Sequence, residues 1–219
     1  DCDRCAVAVP VGSGFRKLSG NELGCMLMEY ILKARTARRD LPEGAEVVRS
    51  IVSSPMADRV AKRYGVTMKH VLTGFKYIGG EILELEQQGK ADRFVFGFEE
   101  SCGYLKGTYA RDKDAVVASM LVCEMAAYYK EKGLSLLDVL NGLYREHGVY
   151  RHSLVNAEFE GAQGMIAMQN LMDSLRNNHP AAIAGLKVVK VSDYLLSVKK
   201  DLATGREEAI DLPKSNVLA

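Results

Sequence analysis

The chain has 219 residues, of which 47% are hydrophobic and 26% charged, a balance typical of a soluble globular protein with a sizeable core. Lys+Arg number 29 and Asp+Glu 28, and the resulting net charge of +1 argues against a protein built to bind nucleic acid or an anionic membrane. No apolar run approaches the length that spans a bilayer, and five cysteines, an odd number, fit reduced thiols in the cytoplasm better than a disulfide framework.

The first two-thirds of the chain alternate between strand and helix patterns. A short β-prone run at 5–10 ends in a turn, and apolar residues at helical spacing begin near Asn21, with Ser19 or Asn21 as the N-cap. Further strands are expected at 46–52, 66–74 and 93–98, with helices at 53–65, capped by Ser54, and at 75–88. This alternation predicts a layered α/β domain.

Two more helices and a different pattern follow. The segment 112–132 is apolar nearly all round, which predicts a largely buried helix, and Ser135 caps another helix that ends at Gly148. Beyond it, the pattern predicts a strand at 150–161, an amphipathic helix at 162–178, and one or two strands at 186–198 that lead into a hairpin turn. The last part therefore reads as a separate α+β unit.

Two carboxylates and a serine follow the strand at 93–98. In an open α/β sheet, ligands bind where strands end, and the alternate positions Glu99 and Ser101 face one side of an extended loop. A carboxylate beside a hydroxyl suits the vicinal hydroxyls of a sugar. The alternative that this stretch only caps a turn stays open.

Two other segments suit an anionic ligand. Gly74 follows the strand at 66–74 and opens a helix, a place where the backbone approaches ligands closely and where anions are attracted. Arg111 and Lys113 directly precede another helix and suit a phosphate. Asp112 or Asp114 is expected to cap that helix, which does not exclude phosphate binding.

The N-terminal segment offers oxygen and sulfur ligands. Asp1 and Asp3 alternate along an extended segment, and carboxylate oxygens suit Mg²⁺, although two carboxylates do not complete a site. The pair Cys2 and Cys5 has the spacing of a redox or zinc motif. No second cysteine pair accompanies it, so a cysteine function is disfavoured.

Taken in order, the segments DCDRCAVAV, TGFKYIG, FGFEESCGYL, YARDKDA and LPKSNVL closely resemble the α-D-phosphohexomutase superfamily, in its bacterial phosphoglucomutase/phosphomannomutase branch. The resemblance implies a fragment of a four-domain enzyme. Residues 1–21 would be the tail of the metal-loop domain 2, residues 22–148 the sugar-binding domain 3 with a mixed sheet covered by helices, and residues 149–219 the first part of domain 4.

The same resemblance implies roles for single residues. Asp1 and Asp3 look like the last two magnesium ligands, and Arg4 is the arginine that follows them. The remaining substrate-binding residues would be Thr73, Gly74, Glu99, Ser101, Lys113 and, as a weaker match, Arg111. No catalytic residue lies in the chain, because the phosphorylated serine belongs to a domain upstream.

The activity implied is the interconversion of hexose 1-phosphate and 6-phosphate, of glucose and/or mannose, through a phosphoserine and a hexose bisphosphate intermediate. The expected partners are a sugar phosphate and the missing domains of the same polypeptide, and the isolated fragment is expected to be inactive. Two alternatives stay open: a phosphopentomutase of the same superfamily, and a sugar-phosphate-binding module without catalysis.

Overall fold

The structure is a computed structural model that describes residues 2–219. Asp1 is outside the described residues, and so is the prediction that it binds a metal. The chain forms two compact units, Asp1–His152 and Ser153–Ala219. None of the helices in residues 2–219 is long and apolar enough to cross a membrane.

The first unit alternates strands and helices along most of its length. In chain order its elements are β1 (Ala8–Val11), β2 (Gly14–Lys17), α1 (Gly20–Arg38), β3 (Glu46–Ser50), α2 (Met56–Arg63), β4 (Thr67–Val71), α3 (Phe75–Gln87), β5 (Phe94–Glu99), β6 (Gly103–Lys106), α4 (Ala115–Lys130) and α5 (Leu136–His147). The strands and helices expected between residues 5 and 98 are confirmed, with ends that differ by a few residues. The strands β2 and β6 were not predicted.

A four-stranded mixed sheet forms the centre of this unit, in the order β4-β3-β5-β6. β3 is parallel to β4 on one side and to β5 on the other, and β6 returns antiparallel to β5. The chain therefore leaves β3 in one direction to form β4 and crosses back over β3 to form β5. In such sheets the strand order reverses at a switch point, here between the carboxyl ends of β3 and β5, and ligands bind beside it.

Helices cover both faces of the sheet, as the predicted layered α/β fold requires. On one face Phe96 and Phe98 of β5 pack with α1 and its neighbours in the larger apolar cluster, and on the other face Ile78 and Ile82 of α3 form a second cluster. α1 and β5 are in close contact: a Cβ built at Gly24 of α1 would lie only 2.2 Å from the ring of Phe98. Glycine at this position therefore lets α1 lie directly on the strand.

Local capping rules explain where several helices begin. Ser19 caps α1 in a capping box with Glu22, whereas the other candidate, Asn21, accepts the amide of Ser54 at 2.8 Å. Ser135 caps α5 as predicted. The Ser54 hydroxyl accepts the amide of Met56, the first residue of α2, at 3.3 Å, although Pro55 occupies the cap position itself.

The expectation that α4 is largely buried was wrong. A single stripe of its side chains is buried (Ala118, Leu121, Met125 and Tyr129), while Val116, Met120 and Cys123 are exposed. The reason is that α4 contacts α1, α5 and β6 along one side only. An apolar composition all round a helix predicts burial but does not supply the element that would cover the second face.

The second unit contains one helix and short strands. These are α6 (Gly161–Asn177), β7 (Ala182–Ile183), β8 (Leu186–Lys187), β9 (Lys190–Asp193), β10 (Val198–Asp201) and β11 (Glu207–Ala209), with β10 lying antiparallel between β9 and β11. The predicted helix and hairpin are confirmed, but the strand expected at 150–161 was wrong, because that segment pairs with no strand in the part of the chain that is described.

Polar contacts hold this second unit together. Arg176 of α6 donates to Asp193 at 2.8 Å and to Asn216 at 2.8 Å, and Asp193 is the only buried residue within 153–219. Among residues 153–219 no apolar side chain is buried.

Candidate functional site

The loop after β4 and the end of β5 meet through one hydrogen bond. The amide of Gly74 donates to Oε1 of Glu99 at 2.6 Å. Gly74 is the N-cap of α3 and has a φ of +124°, a conformation that favours glycine. Two segments 25 residues apart in the chain are thus joined at the carboxyl edge of the sheet, where a ligand site was predicted from the sequence.

Glu99 is buried, with 4% of its surface exposed. Burial raises the pKa of this carboxyl above its usual value; the Gly74 amide and the positive charges of Lys113 and Arg4 pull the pKa down, and the charge of Glu100 pushes it up. Lys113 and Arg4 therefore lie near enough to Glu99 to act on its charge. The carboxylate of Glu99 thus accepts the amide of the N-cap residue of α3, a contact with a distant helix rather than with the turn that follows it in the chain.

The neighbouring carboxylate, Glu100, forms hydrogen bonds across the switch point between β3 and β5. Its Oε2 accepts the hydroxyl of Ser50 at 2.8 Å and that of Ser53 at 3.3 Å, and the two hydroxyls lie 2.8 Å apart. Both serines are buried. Sequence reasoning missed this contact. Its signal was the pair of serines at the end of β3, opposite the acidic end of β5.

The loop that carries Ser101 is held on the other side by α1. A Cβ at Gly20 would lie 2.1 Å from the carbonyl oxygen of Glu100, so only glycine lets the first turn of α1 approach the loop. Cys102 then adopts a left-handed backbone with φ of +66°, which turns the chain into β6. Between these fixed points Ser101 is half-buried, and Thr73, beside Gly74, is exposed.

Lys113 lies in a cage of carboxylates and an aromatic ring. Its Nζ is 3.1 Å from Oδ1 of Asp3, 2.8 Å from Oδ1 of Asp112, and 5.3 Å from the centre of the Phe75 ring. Burial lowers the pKa of Lys113, but the hydrogen bonds and charges of Asp112 and Asp3 outweigh burial and raise the pKa above its usual value. The ammonium therefore stays charged.

The segment before β1 lies against the loop and against α4. The amide of Cys5 donates to the carbonyl of Cys102 at 3.1 Å, and the carbonyl of Cys2 accepts the amide of Ala115 at 2.9 Å. These two bonds place Asp3 beside Lys113. Arg4, which is exposed, contacts Asp3 at 3.6 Å.

A family profile and two curated relatives match the sequence of this chain. Residues 19–147, more than half of the chain, match the profile described as phosphoglucomutase/phosphomannomutase, alpha/beta/alpha domain III. The chain belongs to the phosphoglucomutase/phosphomannomutase family. It is 39% identical over 199 residues to the phosphoglucomutase of Staphylococcus haemolyticus, covering 91% of this chain and 35% of that protein. With the phosphoglucomutase of Staphylococcus aureus strain MRSA252 it shares 35% identity over 219 residues, 100% of this chain and 38% of that protein.

Solved structures with a similar fold come from the same family. Paramecium pp63/parafusin, a phosphoglucomutase in its open form, has a TM-score of 0.57 and 18% identity, covering 95% of this chain and 33% of that one. A phosphoglucomutase/phosphomannomutase family protein of Burkholderia thailandensis has a TM-score of 0.51 and 17% identity, covering 81% and 32%. At these identities the likeness shows the fold alone. The chain spans just over a third of the length of its Staphylococcus relatives.

Within this phosphoglucomutase/phosphomannomutase chain, Arg111 does not join the other predicted site residues. Its guanidinium pairs with Glu86 near the C-terminal end of α3 and donates to the carbonyls of Thr108 and Ala110. Glu86 is about 18 Å along the helix axis from Gly74, at 1.5 Å per residue. Of the two candidate caps of α4, Asp112 and Asp114, the structure selects Asp114, whose side chain accepts the amides of Val116 and Val117.

The magnesium ligands predicted for the family are not assembled by the residues that the structure describes. Across residues 2–219, no group of three or more His, Cys, Asp or Glu side chains is placed to hold a metal ion. The carboxylate of Asp3 is instead paired with Lys113 and Arg4. Asp3 alone does not complete a metal centre.

Proposed function

We propose that this chain is the sugar-recognition portion of a phosphohexomutase, which interconverts hexose 1-phosphate and hexose 6-phosphate of glucose and/or mannose. The observation that supports the proposal most directly is the bond between Gly74 and Glu99. It joins the two loops that resemble the family's sugar-binding motifs, in a chain whose Staphylococcus relatives are named phosphoglucomutase.

In this proposal Glu99 and Ser101 hold the sugar. Oε1 of Glu99 is fixed by the Gly74 amide, and its other oxygen, Oε2, accepts a sugar hydroxyl. The Ser101 hydroxyl donates to or accepts from a neighbouring hydroxyl. Thr73 and Gly74 lie beside the ring at the start of α3. Because hydroxyl recognition is retained when the sugar turns round, the same groups serve both orientations of the intermediate.

Lys113 and Arg4 hold phosphate in this proposal. Lys113 is kept charged by Asp3 and Asp112, and a phosphate that enters beside it exchanges one anionic partner for another. Arg4 is exposed, and its guanidinium would exchange its contact with Asp3 for one with the same phosphate. We assign Arg111 a weaker part, since its guanidinium would first have to leave Glu86.

The transfer itself is assigned to groups outside this chain. A phosphoserine in another domain of the same polypeptide would donate the phosphoryl group, and a hexose bisphosphate would be both intermediate and activator. We propose magnesium for the longer protein, where Asp1 and Asp3 would supply part of the ligand set. For residues 1–219 alone we expect no mutase turnover.

The test uses the full-length polypeptide that carries this segment. Given Mg²⁺ and glucose 1,6-bisphosphate, it should convert glucose 1-phosphate to glucose 6-phosphate in a coupled assay. Glu99→Gln should lower kcat/KM about 10- to 100-fold, the value of one or two charged hydrogen bonds. Glu131→Gln, at the exposed end of α4, is the matched control and should have no effect. No turnover by the full-length wild type would refute the proposal.

The same assay distinguishes a phosphohexomutase from a phosphopentomutase. Faster turnover of ribose 1-phosphate than of glucose 1-phosphate would reassign the enzyme to pentoses. The coding sequence on either side of the segment decides whether a non-catalytic binding module remains tenable, because that reading requires the absence of a serine loop.

A further inference from the structure

Two cysteines that are 97 positions apart in the chain meet at the edge of the recognition loop, the residues 100–102 that join β5 to β6. The amide of Cys5 donates to the carbonyl of Cys102 at 3.1 Å. With about 1.5 Å from Cα to N and about 2.4 Å from Cα to the carbonyl oxygen, the two Cα atoms lie at most about 7 Å apart. Disulfides join Cα atoms that are about 4.4–6.8 Å apart. The Cα atoms are therefore separated at most by about the upper limit of that range.

Both side chains also contact the same apolar cluster. Cys5 and Cys102 both pack, half-buried, against the larger apolar cluster. The Tyr104 hydroxyl of that cluster donates to the carbonyl of Gly20 at 3.3 Å. Burial raises its pKa, and the nearby thiols of Cys102, Cys5 and Cys25 raise it further. Ser119 of α4 donates to Sγ of Cys5 at 3.4 Å. Cys5 and Cys102 thus both lie near the Tyr104 hydroxyl.

The neighbour of Cys5 in sequence, Cys2, lies elsewhere. Cys2 is exposed, and its carbonyl bonds to Ala115 at the start of α4 rather than to the loop. The CDRC spacing suggested Cys2 and Cys5 as the pair, whereas the fold brings Cys5 to Cys102. Of the remaining cysteines, Cys25 also lies near Tyr104 but is fully buried in α1, and Cys123 is on the exposed side of α4.

We propose that Cys5 and Cys102 form a reversible disulfide that ties the segment 2–5 to the recognition loop. With a low-molecular-weight disulfide such as oxidised glutathione, one thiolate attacks a glutathione sulfur and releases one reduced glutathione. The second thiolate then attacks the protein sulfur of the mixed disulfide and releases the other. Two protein thiols are oxidised, one S–S bond forms as another breaks, and two reduced glutathiones result.

The bond would act on the site through its neighbours. It would fix Asp3 and Arg4, which lie between Cys2 and Cys5, relative to Glu99 and Ser101. The modification needs no assumption about the substrate, so it stands or falls separately from the proposed function.

Tryptic mapping of the 219-residue chain tests the proposal directly. Lys and Arg are so placed that each cysteine falls on its own tryptic peptide, with Cys5 on 5–16 and Cys102 on 94–106. After treatment of the folded, reduced chain with oxidised glutathione and alkylation, we expect peptide 5–16 joined to 94–106, reversed by dithiothreitol. Peptide 5–16 joined to 1–4, both peptides fully alkylated, or a cross-link formed only in urea would each overturn the proposal.

Variants supply the controls. Cys2→Ser and Cys123→Ser should still form the cross-link, and Cys5→Ser and Cys102→Ser should not. Circular dichroism establishes that each variant is folded. If Cys5→Ser is not folded, Cys5→Ala replaces it. A cross-link of unchanged yield in either Cys5 variant would also overturn the assignment.

Discussion

Gly103 leaves the space that the side chain of Lys113 fills. A Cβ at position 103 would lie 2.3 Å from Cδ and 2.7 Å from Cγ of Lys113, closer than any real contact. The lysine therefore reaches Asp3 by passing over a residue that has no side chain. In the sequence, Gly103 looks like an ordinary turn glycine, but its φ is not in the left-handed range, and its importance is steric.

Gly103→Ala should displace Lys113 without preventing folding, because the flexible lysine can move and the backbone need not. We expect the free energy of unfolding to fall by about 1–3 kcal/mol, as for other overpacked sites. In the full-length enzyme KM for glucose 1-phosphate should rise. Denaturant unfolding and steady-state kinetics measure the two effects. An unchanged KM would show that Lys113 does not contact substrate.

Adjacent glycines in α3 should respond in opposite directions. A Cβ at Gly79 would lie 2.7 Å from the backbone carbonyl of Arg111, whereas a Cβ at Gly80 meets nothing within 4 Å. Gly80→Ala should stabilise the chain by about 0.5–1 kcal/mol through helix propensity. Gly79→Ala should destabilise it by about 1–3 kcal/mol. Chemical denaturation of the two variants decides, and effects of the same sign would contradict the packing of α3 against residue 111.

The charge of Glu99 should make stability fall as pH rises. Its pKa in the folded chain lies above the usual 4.5, so the folded state binds more protons than the unfolded state just above pH 4.5. The stabilising contribution is therefore complete below that pH and is lost as pH rises through the folded pKa. Glu99→Gln, which keeps an acceptor for the Gly74 amide, should lack this loss. Unfolding measured at a series of pH values tests it, and parallel wild-type and variant curves would contradict it.

Asp58 should behave in the opposite way. It accepts Nε and Nη2 of the buried Arg49 and contacts His70 at 2.7 Å. Burial acts to raise the pKa of Asp58, but the hydrogen bonds and charges of His70 and Arg49 outweigh it, so the pKa lies below 3.8. Its stabilising contribution is present above pH 3.8 and disappears as pH falls through the folded pKa.

Asp58→Asn should therefore lower stability at neutral pH by about 2 kcal/mol, less than for a fully buried pair because Asp58 is partly exposed. The difference from wild type should shrink in acid. Asp40→Asn, which removes exposed ion pairs with Arg35 and Arg38, is the control and should cost about 0.5 kcal/mol or less. Equal losses in both variants would contradict the role given to Arg49.

The parts of the fold that could be predicted follow from local rules. Ser19 and Ser135 predict helix starts because a capping serine contacts only the amide three residues later in the chain. The strand β6 escaped prediction because its pairing with β5 depends on the turn at Cys102, which no short-range pattern marks. Segment 150–161 shows the converse, since alternation without a neighbouring strand makes no sheet.

The same division holds within the site. The meeting of Gly74 and Glu99 could be foreseen because both follow strands that end at one edge of the sheet. The direction of the Arg111 side chain could not, because Glu86 comes beside it only through the packing of α3. Nor does the sequence show that Cys5 and Cys102 are neighbours, since their contact depends on the path of the whole chain between them.

The lack of buried apolar side chains in residues 153–219 has a consequence for experiments on this chain. Ordering a residue costs about 1–2 kcal/mol of backbone entropy, and apolar burial is the main term that offsets it. The amide hydrogens of β9, β10 and β11 should therefore exchange with deuterium in seconds to minutes. Those of β3 and β5 should exchange only when the whole first unit unfolds. A version shortened to end at His152 should keep the cooperative melting transition of the longer chain, and would be the smaller specimen for NMR.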